Sequence, residues 1–371
     1  MKGQWIGKNS GTNEGGIVLN IDERSDKYEG IAYLFPNDNK LPSAGIFFKT
    51  FNKDKTFKLK IDYVLPVNPK TYLLDTWANV KNFYDGSTIF PEQVEIEVTW
   101  TGNILALEWK TNISTHGLGI LEISRASQPS DLVAKKIDLK EFRNSFSNIA
   151  NRHYIFRGQN RPWRLRTAFH RAGRFILDRF INEDVAMLHK HLSASTKHVF
   201  NLENPKENGA FFNLLQHHGY PTPLLDWTYS PYVAAFFAYR GITSSDAEKS
   251  NPEDKVRIYA FDLQRWKENH PQINILNTAA LHLSVGEFMA IENERTIPQQ
   301  AISLVTNIDD IETYITSHQT NGNTYLFAFD LPVSARNEMI RELKFMGITG
   351  GSLFPGLDGA CEELKERNFR I

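Results

Sequence analysis

Residues 94–110, VEIEVTWTGNILALEWK, decide how the first third of the chain folds. Val94, Ile96, Val98 and Trp100 alternate with Glu95, Glu97 and Thr99, and a period of two puts the apolar set on one face of a strand. The Thr101-Gly102-Asn103 turn reverses the chain, and Leu105, Leu107 and Trp109 fall on one face of the return strand, so the segment is a hairpin. Similar runs lie outward of it at Gly16–Asp22, Tyr28–Phe35, Gly45–Phe51, Phe57–Val67 and Leu118–Ser124. About seven or eight short strands with no helix of any length between them predict an antiparallel β barrel or sandwich over residues 1–126.

Ser127-Gln128-Pro129-Ser130-Asp131 opens a polar linker at 127–134, because Pro and small polar residues disfavour both helix and ladder. Beyond it the period changes. Leu139, Phe142 and Phe146 recur at helical spacing behind a capping Asp138. Helices are expected within Asp184–Phe200 and Ala210–His218, from Pro231 onward, and at Ala335–Met346 with Ser334 as cap and Gly347 as stop. Short strands at His153–Phe156, Val256–Phe261 and Thr324–Phe329 alternate with them. Residues 135–371 therefore read as a second, α+β domain.

With 41% hydrophobic residues, including 25 Phe, 13 Tyr and 7 Trp, the 371-residue chain has ample apolar surface to bury and is not a disordered one. Lys plus Arg is 42 against 43 Asp plus Glu, a net charge of −1, so any site for a polyanion must be local. The single Cys361 excludes an internal disulfide and a multi-thiolate metal site. The start lacks an apolar signal segment, and no stretch approaches the roughly 18 apolar residues of a membrane span, so a cytoplasmic protein with no membrane partner is expected.

Three clusters are candidates for chemistry. The first is Tyr154-Ile155-Phe156-Arg157-Gly158-Gln159, followed by Arg171. A strand ending in Arg-Gly sets a guanidinium at a sheet rim, where its planar fork suits phosphate and the glycine admits a ligand. The alternative is an Arg paired with a core carboxylate. The second is Gln216 to Pro231, in which Leu224-Leu225-Asp226-Trp227-Thr228 leads to Ser230-Pro231 at a helix start. That start offers free amides to an anion, or Ser230 is only a cap, whereas Asp226 between apolar neighbours needs a partner. The third is Asn293 to Leu304, with Gln299 and Gln300 at the mouth of a strand through Ile302 and Leu304; these amides either bind a sugar hydroxyl or are scaffold. Adjacent His217 and His218 point about 100° apart on a helix, and no metal-binding spacing, Walker loop or nucleophile elbow occurs, so no metal is expected.

The Phe-Arg-Gly-Gln run at 156–159, the stretch QHHGYPTPLLDWTYSPYVAAFFA at 216–238, the Arg295–Gln300 patch and LFPGLDG at 353–359 together resemble the bacterial FRG domain, over about residues 135–365. The order of Arg after a strand, Ser before an Ala-rich helix and a later strand opened by Gln is also similar to the Arg-Ser-Glu plan of ADP-ribosyltransferases. That resemblance implies a split sheet and NAD as substrate, with Arg157 anchoring phosphate and Ser230 and Thr228 forming the nicotinamide pocket. The Glu place is held by Gln299 or Gln300, a neutral amide that does not stabilise a developing cation as a carboxylate does, with Glu287, Glu294 or Asp226 as substitutes. The catalytic candidates are Arg157, Asp226, Ser230 and Gln300. The nucleotide-binding candidates are Arg157, Gly158, Gln159, Arg171, Thr228, Ser230 and Gln299. The implied function is NAD-dependent ADP-ribosyl transfer to a protein or nucleic acid, or NAD hydrolysis, by a toxin or antiviral effector with a neutralising partner protein. A non-catalytic nucleotide or nucleic-acid binding module is the alternative, drawing on the Arg-rich segment from Arg161 to Arg179.

Overall fold

The computed structural model describes residues 1–146, 152–320 and 322–369. Its first unit consists of strands β1 (Gly3–Gly11), β2 (Gly15–Glu23), β3 (Tyr28–Pro36), β4 (Ala44–Lys49), β5 (Thr56–Lys58), β6 (Lys60–Pro66), β7 (Val94–Thr101), β8 (Ile104–Thr111) and β9 (His116–Ile123). They form one nine-stranded antiparallel sheet in the order β5-β7-β8-β9-β1-β2-β3-β4-β6. The two ends of that order are consecutive in sequence. Only Leu59 separates β5, which pairs with β7, from β6, which pairs with β4, and the Leu59 N–H donates to Ile96 O at 2.9 Å. One crossing of the chain thus draws both edges together into a nearly closed barrel, which removes most of the unpaired edge of an open sheet.

The hairpin at its centre pairs Val94 with Thr111, Ile96 with Trp109 and Val98 with Leu107, and the alternating apolar residues point inward to a core that includes Trp5, Leu19, Ile21, Leu105 and Leu121. The expectation of no helix at all is corrected at Trp77–Val80, where a four-residue helix continues into a tighter turn at Lys81–Phe83. It lies in the long connection between β6 and β7, whose length leaves room for one turn.

The second unit is mixed α/β. Its sheet contains β10 (Lys135–Lys136), β11 (Tyr154–Gln159), β12 (Leu224–Thr228), β13 (Lys255–Asp262), β14 (Leu283–Gly286), β15 (Ala301–Thr306) and β16 (Leu326–Pro332), in the order β10-β16-β13-β11-β12-β15-β14. Asp138 caps the Leu139–Phe146 helix, its Oδ1 accepting from the Glu141 N–H at 2.7 Å. Gly347 ends the Arg336–Phe345 helix at φ +75°, the left-handed geometry that favours glycine. Ser334 does not cap that helix. It lies inside a 3-10 turn at Val333–Ala335, and the helix follows with no side-chain cap. The helix expected within Asp184–Phe200 is Ala186–Leu192, continuing from a π-helical turn at Phe180–Val185.

Segment 127–134 is docked onto the second unit and is no free tether. Pro129 bridges to Trp163, Ser130 Oγ accepts from Arg257 Nη1 at 2.7 Å, and Asp131 pairs with Arg164 at 2.5 Å. Barrel and α/β unit also share buried polar contacts. Asp22 of β2, 1% exposed, accepts from Arg174 Nε at 3.1 Å, Arg179 Nη1 at 3.4 Å and the Phe175 N–H at 2.6 Å. Gln4 donates to Asn307 O at 2.8 Å and accepts from the Asp309 N–H at 2.9 Å. No helix among the described residues is long and apolar enough to cross a membrane.

Candidate functional site

β11 lies in the middle of the second sheet, and its alternation separates two cores. Ile155 packs with Tyr259 and Phe261 on one face, and Phe156 packs with Ala234, Phe236 and Ile258 beneath the Pro231–Tyr239 helix on the other. The strand does not stop at Arg157. Register continues through Arg157↔Tyr259, Gly158↔Ile258 and Gln159↔Arg257, so the Phe-Arg-Gly triplet sits inside a strand rather than at its rim. Gly158 is required by the helix: a Cβ there would lie 1.8 Å from Ala234 O and 2.7 Å from Ala238 N. The space that the sequence reading left for a ligand at Gly158 is filled by helix backbone.

On its other side β11 touches β12 through a single pair, Phe156↔Thr228. Past that pair Arg157 takes up the partnership, its Nη1 donating to the Asp226 carbonyl at 2.5 Å. Arg157 Nε is buried without a hydrogen-bond partner among the described residues. Burial, aided by the charge of Arg171, pushes the Arg157 guanidinium down to about 10. Arg171 is also held by a main-chain carbonyl, its Nη1 donating to Arg166 O at 2.6 Å. Burial and the Arg166 charge lower its pKa, and the Asp226 charge opposes them.

Four other arginines of this segment are neutralised within the protein, while Arg161 is exposed. Arg164 pairs with Asp131 and Asp310, Arg166 with Asp309 at 2.5 Å, Arg174 with Asp22 and Asp184, and Arg179 with Asp22 and Glu183. Four of the six arginines from Arg161 to Arg179 are thus tied up in ion pairs, which leaves Arg161 and Arg171 as the exposed cations of that stretch. Arg157 and Arg171 have no carboxylate within ion-pair distance among the described residues, which leaves the two nucleotide-binding candidates with donors to spare.

Asp226 is fixed from two sides: its Oδ2 accepts from Gln216 Nε2 at 2.9 Å and its Oδ1 from Ser303 Oγ at 3.3 Å. Gln216 is held in turn by the Thr222 hydroxyl, and Ser303 faces Asp226 in the β12–β15 register. Next to it, burial lowers the His217 pKa against the pull of Asp226, and Arg295 Nη1 donates to His217 O at 2.8 Å. Gln216 and Ser303 escaped the sequence reading as carboxylate partners. Gln216 was quotable as the residue ten before Asp226, but Ser303 became its neighbour only through strand pairing.

The remaining candidates are engaged internally. Thr228 Oγ1 donates to Gln299 O at 2.7 Å and accepts from the Ser230 N–H at 3.1 Å. Ser230 Oγ caps the helix, accepting from the Val233 N–H at 3.3 Å. Gln299 is buried, with Nε2 donating to Leu353 O at 2.9 Å. Gln300 has φ +46°, and its carbonyl accepts from the Tyr229 N–H at 3.1 Å while its side chain is exposed. Gln159 is half-buried opposite Arg257, whose guanidinium is tied to Asp330. Glu287 pairs with Lys267 at 3.3 Å, and Glu294 is exposed. The fold thus gathers Arg157, Arg171 and Asp226, and uses Thr228, Ser230 and Gln299 to fasten the turn from β12 into its helix.

An FRG domain is present at residues 152–247. The match spans β11, β12 and the Pro231–Tyr239 helix, and so includes Arg157, Arg171, Asp226 and Ser230; the Arg295–Gln300 and 353–359 blocks lie beyond it. No curated protein matches the chain. Among solved structures, the redesigned β barrel mFAP1 bound to DFHBI is similar at 10% identity and TM-score 0.22, covering 33% of this chain and 93% of that one. A second redesigned β barrel is similar at 12% identity and TM-score 0.23, covering 33% and 91%.

Proposed function

We propose that the FRG domain holds NAD where β11 parts from β12 and splits its glycosidic bond. One observation carries the reading: among the described residues Arg157 Nε is buried with no partner, beside a second guanidinium, Arg171, that also lacks a carboxylate. Phosphate oxygens complement two such forks, because each accepts charge-assisted hydrogen bonds and relieves the cost of a desolvated cation. Asp226, held by Gln216 and Ser303, is the carboxylate near them and takes the role for which Gln299 and Gln300 are unsuited. In the step the C–N bond to nicotinamide breaks, nicotinamide leaves with the bonding pair, and an acceptor oxygen of a macromolecule or water bonds to the ribose carbon and loses a proton. No metal is invoked. Action as a toxin or antiviral effector, restrained by a neutralising partner, would be the cellular counterpart.

The second reading, a nucleotide-binding module without catalysis, is favoured by one feature: Gln299, in the place of the expected Glu, is buried and spent on Leu353 O. Incubation of the full chain with NAD labelled in the nicotinamide ring separates the two. Catalysis predicts nicotinamide release that Asp226→Asn abolishes while NAD binding persists. Arg171→Ala, which removes one hydrogen bond to the Arg166 carbonyl and no ion pair among the described residues, should lose NAD binding with little change in thermal midpoint. Saturable NAD binding without nicotinamide release would leave only the module, and no NAD binding at all would end both readings.

A further inference from the structure

The barrel is closed at one end and hollow at the other. At the closed end Trp5, Ile21, Leu105 and Leu121 are fully buried, and Trp5 Nε1 donates to Met1 O at 2.8 Å. Toward the other end the inward side chains leave a cavity of about 440 Å³. This lies within the roughly 300–1,000 Å³ of small-molecule sites. No lining residue is charged; the wall is mainly aliphatic and aromatic, interrupted by Asn, Ser and Thr and by Trp109.

Trp109 differs from Trp5 in one respect. Its Nε1 is buried with no hydrogen-bond partner among the described residues. Gly117 on β9 allows the indole to lie against the barrel wall, since a Cβ there would come within 2.7 Å of Trp109 Cζ2. The neighbouring outward residues of β9, Leu118 and Ile120, are exposed at 57% and 65%, so the strand carries glycine inside and bulk outside along the hollow end. Interior volume is withheld where a packed barrel would fill it, and one donor is left unmet in an otherwise uncharged wall.

We infer that the barrel is a receptor for a small uncharged, largely apolar molecule bearing a carbonyl oxygen that accepts the Trp109 indole proton. An ionised ligand is excluded by desolvation, as nothing in the wall neutralises it. This site is separate from the FRG cleft and does not depend on the reading of that cleft.

The test uses the full chain and the neutral naphthyl ketone prodan, whose emission moves to the blue in apolar surroundings, beside its analogue without the propionyl group. The wild-type protein should take up prodan saturably with one site. Trp109→Phe should weaken prodan about tenfold, the effect of one lost hydrogen bond, and leave the carbonyl-free analogue unchanged. Ala44→Phe, which fills the cavity from a partly exposed lining position, should block both probes. The inference is overturned if the wild type binds neither probe saturably, if Trp109→Phe affects both alike, or if a folded Ala44→Phe binds prodan as the wild type does. Should Ala44→Phe fail to fold, the Trp109→Phe contrast between the two probes decides alone.

Discussion

Gly158→Ala separates two explanations of the Phe-Arg-Gly triplet. If the glycine exists so that a ligand can approach the backbone, the variant folds normally and loses only binding. The geometry demands the other outcome. The new Cβ would stand 1.8 Å from Ala234 O, and real Cβ contacts do not fall under 3.0 Å, so the Pro231–Tyr239 helix must withdraw by about 1.2 Å. The obstacle is backbone on both sides, so no rotamer change relieves it. That helix buries Val233, Ala234, Ala235, Phe236, Ala238 and Tyr239, and a gap of this size forfeits much of their dispersion contact with β11. A core overpacked against backbone that no rotamer relieves loses about 3 kcal/mol, the upper end of the usual cost, which for a unit of this size lowers the thermal midpoint by roughly 6–12 °C. Calorimetry or urea titration reads it, with Gly16→Ala as control, because a Cβ at Gly16 meets nothing within 4 Å. A Gly158→Ala protein that melts with the wild type would refute the packing argument, and a selective loss of NAD binding in that protein would restore the ligand explanation.

Ser230→Ala should cost about 1 kcal/mol as the loss of a helix cap, with NAD turnover retained; unchanged stability with abolished turnover would return Ser230 to the pocket. Asp22→Ala leaves Arg174, Arg179 and the Phe175 N–H short of an acceptor at the barrel interface, and urea unfolding should show a loss of about 3 kcal/mol. Burial holds the imidazoles of His170 and His282 down to about 4, so both are neutral in the native protein while the unfolded chain takes up protons below about pH 6.5. Their contribution is complete above that pH and fades as the pH falls toward 4, so each should weaken stability by about 2 kcal/mol between pH 7.5 and 5, and His170→Asn should remove its share of the slope in urea titrations at the two pH values.

Much of the architecture can be read without coordinates. The alternation at 94–110 produced its hairpin in register, Asp138 and Gly347 bound their helices, and Ser230-Pro231 opened the helix it was expected to open. Each depends on residues close in sequence. Ser334 misled because a 3-10 turn intervened, a choice between two local geometries that one capping residue does not settle. The Arg-rich segment misled for a different reason. Its charges looked solvent-bound, yet Asp22, Asp309 and Asp310 reach it from far along the chain and Asp184 from ten residues on, while Arg157 just before it and Arg161 and Arg171 within it have no carboxylate at ion-pair distance among the described residues.

By itself, then, the amino-acid order determined two units, the strands and caps within them, and the presence of an arginine beside a glycine and an aspartate flanked by leucine and tryptophan. Tertiary structure decided the closure of the barrel across Leu59, the hollow beside Trp109, the helix over Gly158 and the identity of the unneutralised guanidiniums. Periodicity and capping act over one or two turns and are written into neighbouring residues. Close approach and charge neutralisation depend on which distant segments share a surface, and that follows only from packing the whole chain.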